Sequence, residues 1–193
     1  MGKYHTHMGD KMGRADKNVF HEGLLYSESR CIIRDSLDAN PEVEKSAFWI
    51  RPACFGDLPA MTRLLQELFA IETEFTVDTE KQRCGLQMLL DSEQAAVWVA
   101  ERHGRIVGMV TAQLMISTAE GGLSSLLEDL VVSSAYRRRG LGKALLSAAV
   151  KWSRDQGATR MQLLADGRNV PAIIFYRKQD WKQTNMIALR RSL

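Results

Sequence analysis

The chain is poor in the features that assign a protein quickly, and each absence excludes something. It has only three cysteines, Cys31, Cys54 and Cys84, odd in number and widely spaced. They form neither a disulfide framework nor a CxxC metal pair, and the expected setting is a reducing cytoplasm. No apolar run approaches the roughly 20 residues that a membrane-crossing helix needs, so no membrane role is expected. The opening "MGKYHTHMGDKMGR" lacks the apolar core of a secretion signal. Of four histidines, His5, His7 and His21 lie near the N-terminus and His103 in a turn, so no metal site is expected. A net charge of +3 over 193 residues is too small to argue for nucleic acid. There is no internal repeat and no low-complexity tract.

What the chain does have is charge separated by sign. Between Gln66 and Gln94 stand seven acids and two bases, and between Tyr136 and Arg160 seven bases and one acid. Such a division prepares one region for an anion and another for a cation. Residues 1–46 show no sustained period and read as a peripheral, partly disordered extension. An ordered domain is expected over residues 47–193.

Within it the hydrophobic period changes several times. "AFWIR" reads as a strand. "FGDLPAMTRLLQELFAI" reads as a helix with Asp57 as N-cap, and a second helix is expected over Thr79–Asp91. "AAVWVAERHGRIVGMVTAQLMI" reads as two strands joined at His103-Gly104, followed by a third over Leu126–Ser133. Leu141, Leu145, Ala148, Ala149 and Trp152 then fall near one helical stripe that Gly157 ends. A short strand "RMQLLA" and a helix with Pro171 in its first turn follow, and "WKQTNMIALRRSL" reads as a closing pair of strands. The fold class is α/β: a mixed, mostly antiparallel central sheet of about six or seven strands, with helices on both faces.

The densest signal is "LEDLVVSSAYRRRGLGKALLSAAVKW", Leu127–Trp152. A strand feeds a glycine turn and a helix N-terminus, where unpaired N–H groups and the helix dipole favour an anion. Arg137, Arg138, Arg139 and Lys143 add positive charge around Gly140, Leu141 and Gly142. The turn fits neither a Walker A loop nor a Rossmann fingerprint, because Arg137 replaces the first glycine of the one and Leu145 the last glycine of the other.

What remains, RxxGxG between a strand and a helix with "NVPAIIFY" about thirty residues on, resembles the GCN5-related N-acetyltransferase (GNAT) family. The hairpin "VWVAERHGRIVGMV" also looks like that family's second and third strands, and the resemblance covers about 47–193. It implies the acyl-CoA N-acyltransferase fold and acetyl-CoA as cosubstrate. It also implies direct transfer of the acetyl group to a primary amine, without a metal. By the same resemblance, the backbone N–H groups of Arg138–Lys143 surround the pyrophosphate, with Arg137 leading the motif. Leu130 and Val132 pair by backbone with the pantetheine arm. Asn169 contacts the cofactor arm, and Tyr176 protonates the leaving thiolate. "LEDLVV" looks like the equivalent strand of the polyamine acetyltransferases, which nominates Glu128 as the base. Strict strand alternation would send Asp129 to the opposite face.

The expected acceptor is a small cationic amine, steered by the acids between Glu67 and Glu80. A protein lysine or N-terminal amine, and a non-catalytic acyl-CoA-binding regulatory module, are the alternatives. A homodimer is expected by family analogy alone.

Overall fold

The computed structural model describes residues 48–71 and 77–192. The proposed extension, and Glu72 and Glu74 in the acidic segment, lie outside the described residues. Five strands form one sheet in the order β1-β2-β3-β4-β5: β1 Trp49–Pro52, β2 Ala95–Arg102, β3 Arg105–Ser117, β4 Gly122–Val132 and β5 Arg160–Leu163. The first four pair antiparallel and β5 joins β4 in parallel. Four α-helices complete the fold: α1 Leu58–Phe69, α2 Thr79–Asp91, α3 Leu141–Asp155 and α4 Val170–Arg177. The α3 segment is the crossover that a parallel β4–β5 pair requires.

Alternating side chains divide the sheet between two cores. Val97, Val99, Met109 and Val131 pack with Met61, Leu64 and Leu65 of α1 and Leu86 of α2. Ala100, Val110, Ala112 and Leu127 pack with Leu141, Leu145, Leu146 and Ala149 of α3. The apolar stripes of α1 and α3 are buried against opposite faces of the sheet, so helices cover both faces. The β2–β3 hairpin closes at the expected dipeptide. His103 and Gly104 have φ of 49° and 72°, the left-handed pair of a two-residue hairpin turn whose twist matches the strands.

Three expectations are corrected. The sheet has five strands, not six or seven, because residues 182–192 enter no strand. In that segment Met186, Ile187 and Leu189 are largely exposed. β-propensity makes a strand only where a ladder and a packed face receive it, and β5 is four residues long. Asp57 stands at the N-cap position of α1 as expected, but its side chain makes no cap hydrogen bond there. A 3₁₀ turn, Phe55–Asp57, runs directly into the helix, and the Asp57 carboxylate turns back to the Cys54 N–H (2.9 Å) and to Arg51. The bidentate ion pair outcompetes the cap, and Pro59 in the first turn has no N–H to satisfy. Finally, Glu128 and Asp129 do not alternate, for a reason that belongs to the site.

Candidate functional site

The site is assembled around β4, which is longer than its parallel neighbour. The β4–β5 ladder runs from Ser124↔Arg160 to Leu127↔Leu163 and stops where β5 stops. β4 continues for Glu128–Val132 along β3 alone. Ser133 N–H donates to Val107 O (2.9 Å) and Asp129 N–H to Thr111 Oγ1 (3.0 Å), so both point toward β3. By antiparallel alternation, Leu130 and Val132 direct their N–H groups to the open side. Both side chains pack on the α3 face.

The register of β3 against β4 slips once. Val110 pairs with Leu130 and Ala112 with Leu127, so Thr111 alone stands opposite both Glu128 and Asp129. This is a β-bulge on β4. Leu127 and Leu130, three residues apart, consequently pack on the same α3 face. The two residues between them therefore project together toward the α1–α2 face. There Gln113 Nε2 donates to Glu128 Oε2 at 3.0 Å, and Thr111 Oγ1 donates to Asp129 Oδ2 at 3.1 Å. Glu128 is exposed and Asp129 half-buried.

After β4 the chain makes the charged turn. Arg138 has φ of 60° and Gly140, the N-cap of α3, has φ of 83°. No atom lies within 4 Å of where a Cβ would stand on Gly140. Left-handed residues alternating with extended and helical ones form a concave row of N–H groups. The Ala144 N–H closes the first helical bond onto Gly140 O (3.0 Å), which leaves the N–H groups of Leu141, Gly142 and Lys143 ahead of it. Arg137 Nε donates to Val132 O at 2.9 Å and ties the turn to the end of β4. The Arg139 guanidinium sits 5.8 Å from the Tyr136 ring centroid, on which Arg102 also converges at 5.8 Å. Among the described residues no ion pair engages Arg137, Arg138, Arg139 or Lys143.

The α4 helix lies against this turn. A Cβ on Gly142 would stand 3.5 Å from the Phe175 ring. Phe175 meets Tyr176 edge-on at 5.2 Å, and Tyr176 meets Trp181 at 5.8 Å, so the tyrosine ring is fixed from both sides. Asn169 caps α4: its side-chain oxygen accepts from the Ala172 N–H at 3.2 Å. Its amide nitrogen is the group left to offer a ligand.

The fold thus gathers Leu130, Val132, Leu141 and Tyr176 into one cluster on the α3 face. Glu128 lies on the other face, reached past the open edge of β4. Sequence reasoning missed Thr111 and Gln113, whose partners are set by pairing across β3, and the bulge that aligns Asp129 with Glu128. It placed Glu67 among the acids that steer the acceptor and missed its bonds to the end of β4. That carboxylate accepts from Ser133 Oγ (3.1 Å) and the Ser134 N–H (3.3 Å), joining α1 to the end of β4. One of the seven acids is therefore committed to the scaffold.

Comparison with known proteins bears on what this geometry serves. The sequence profile of the acetyltransferase (GNAT) family matches residues 59–181. The chain is 34% identical over 87 residues to N-acetyltransferase family 8 member 2 of Rattus norvegicus, covering 45% of this chain and 38% of that protein. It is 30% identical over 95 residues to N-acetyltransferase 8 of Homo sapiens, covering 49% and 42% respectively. The chain spans about two fifths of the length of these curated relatives. Among solved structures, an aminoglycoside acetyltransferase from an uncultured soil metagenomic sample, in complex with trehalose, superposes with a TM-score of 0.63. The two are 25% identical over 76% of this chain and 96% of that one. An aminoglycoside N-acetyltransferase in complex with CoA superposes with a TM-score of 0.67 at 18% identity, over 76% and 95% of the two chains.

Proposed function

Because the chain belongs to the acetyltransferase (GNAT) family, we propose that it moves an acetyl group from acetyl-CoA directly to a primary amine. The observation that carries this reading is the open edge of β4 running into the N-terminus of α3. Strand-spaced backbone groups suit an amide-bearing arm, and the row of N–H groups, with four cations that have no ion pair among the described residues, suits a pyrophosphate. In this reading the N–H groups of Arg138–Lys143 hold the pyrophosphate, while Arg137 braces the turn through Val132 O. Leu130 and Val132 pair with the pantetheine arm, and the Asn169 amide nitrogen donates to it.

The chemistry asks little more of the protein than position and two proton transfers. Glu128 takes a proton from the ammonium group, directly or through water, so that the neutral amine attacks the thioester carbon. The carbon–sulfur bond breaks and the electron pair leaves on sulfur. Tyr176, its ring fixed by Phe175 and Trp181, supplies the proton that the thiolate needs.

We take the acceptor to be a small cationic amine. The exposed Glu128 beside Asp129, the acidic composition of Gln66–Gln94 and the likeness of "LEDLVV" to polyamine acetyltransferases support this choice. The structural neighbours include enzymes whose names give an aminoglycoside as acceptor. A protein lysine or N-terminal amine is the second reading, because an acidic groove would serve such an acceptor too.

The test is thiol release from acetyl-CoA with spermidine, an aminoglycoside and a lysine-containing peptide in parallel. Turnover with one of these, reduced about a hundredfold in Glu128→Gln and about tenfold or more in Tyr176→Phe, is expected. No release with any of them, alongside intact acetyl-CoA binding, would leave a CoA-binding module and end the transferase reading.

A further inference from the structure

Thr111 is the residue that β3 sets against the bulge of β4. It lies at the centre of β3, is fully buried, and is the single residue opposite the two-residue bulge of β4. A bulge interrupts the ladder and leaves one backbone group to be satisfied by other means. Here one hydroxyl does so. Thr111 Oγ1 accepts the Asp129 N–H at 3.0 Å and donates its own proton to Asp129 Oδ2 at 3.1 Å. Backbone and side chain of the same residue are thus gripped together by one atom.

The position of this bulge decides where two carboxylates point. Because the side-chain period of a strand is two, moving the extra residue along β4 by one place would turn a carboxylate from the α1–α2 face into the α3 core. The α3 face at this point packs Val110, Ala112, Leu127 and Leu130 into an apolar core, where a carboxylate would be costly to bury. Gln113 restrains Glu128 by only one exposed contact at 3.0 Å, so it cannot fix the register alone. The buried hydroxyl is the element that can.

We propose that Thr111 is a positioning residue: its hydroxyl locks the β4 bulge and so keeps Glu128 and Asp129 turned together toward the acceptor side of the sheet. This rests on the transferase reading for its catalytic consequence, but the lock itself can be measured without turnover. Valine is the informative replacement, since it keeps the β-branched shape and removes only the hydroxyl.

Hydrogen exchange of the Asp129 amide in the full chain should quicken about tenfold or more in Thr111→Val, with exchange at Val131 little changed. With acetyl-CoA and spermidine, kcat should fall about ten- to a hundredfold, as expected for a misplaced catalytic group. KM for acetyl-CoA should stay within about twofold, because the turn and the open edge are untouched. Thr111→Ser should restore both exchange and kcat to within about threefold of the wild type. Unchanged Asp129 exchange in the valine variant would overturn the proposal, whatever the activity. So would a loss of kcat that serine fails to rescue, since that marks a packing defect. If the wild type releases no thiol with any amine, the transferase reading falls by itself, and the exchange measurement still decides the lock.

Discussion

Two arginine-bearing regions of this molecule are in opposite condition. At β1, Arg51 is saturated: two nitrogens reach Asp57 at 2.7 and 2.9 Å, and Nε reaches Glu101 at 2.8 Å. The clamp joins β1, the 3₁₀ turn and β2, and both acids are largely buried. At the turn before α3, four cations stand without a carboxylate among the described residues, and two backbone positions are left-handed. The difference separates two uses of charge. A guanidinium whose three nitrogens are all engaged, two of them by one carboxylate, has little field left to offer and serves the fold. Cations left unanswered beside a helix N-terminus keep their field for something that arrives from solution.

The strongest way to break this contrast is to give the open turn a carboxylate of its own. Gly142→Asp has room, since its Cβ would meet the Phe175 ring at an ordinary 3.5 Å, yet it sets a negative charge among the N–H groups. Acetyl-CoA affinity should fall at least about a hundredfold. In thermal unfolding, the rise of roughly 5–10 °C expected for the wild type at one hundred times Kd should vanish. The converse experiment opens the closed region. Arg51→Met strands the Asp57 carboxylate, whose side chain is 9% exposed, and should cost about 2 kcal/mol in denaturant unfolding. Its acetyl-CoA affinity should remain within about twofold. Loss of both properties together in either variant would mean that the regions are not independent.

Smaller effects sharpen the same division. Lys143→Gln removes one exposed charge from the turn and should weaken acetyl-CoA about three- to tenfold, less so in high salt, with unliganded stability unchanged. Titration provides the finest probe. Burial alone would raise the Asp57 carboxyl, but its bond to Arg51 and the Cys54 N–H outweigh this and hold it below its ordinary value of 3.8. The unfolded chain therefore binds the proton first as pH drops. The clamp's contribution is complete above about pH 4 and is lost as pH falls through the lower folded value. Asp57→Asn should flatten the acid limb of the stability profile by up to one proton.

The parts of the fold that could be read from sequence were those decided by local physics. The two-residue turn at His103-Gly104, the stripe ending at Gly157 and the helix Thr79–Asp91 fall where their residues demand. The turn before α3 was legible for the same reason, because glycine, arginine and a helix start are contiguous. Asp57 shows the limit: as a lone residue it is a good cap, and only the approach of Arg51 from β1 reassigns it. The bulge lay beyond reach for a related reason. No composition of β4 announces that Thr111 will face two residues instead of one, since register belongs to a pair of strands and not to either. The C-terminal "MIALRRSL" carries strand formers, but a strand needs a neighbour.

The fork between β4 and β5 also makes β4 an interior strand for half its length and an edge for the rest. Edges are where foreign strands attach, and proteins usually blunt them with charge or bulges. Here the bulge and Glu128 guard only the start of the exposed stretch, while the Leu130 backbone and the Val132 N–H remain available for pairing. In the proposed function, a pantetheine arm that imitates a strand would therefore protect this edge as well as bind to it.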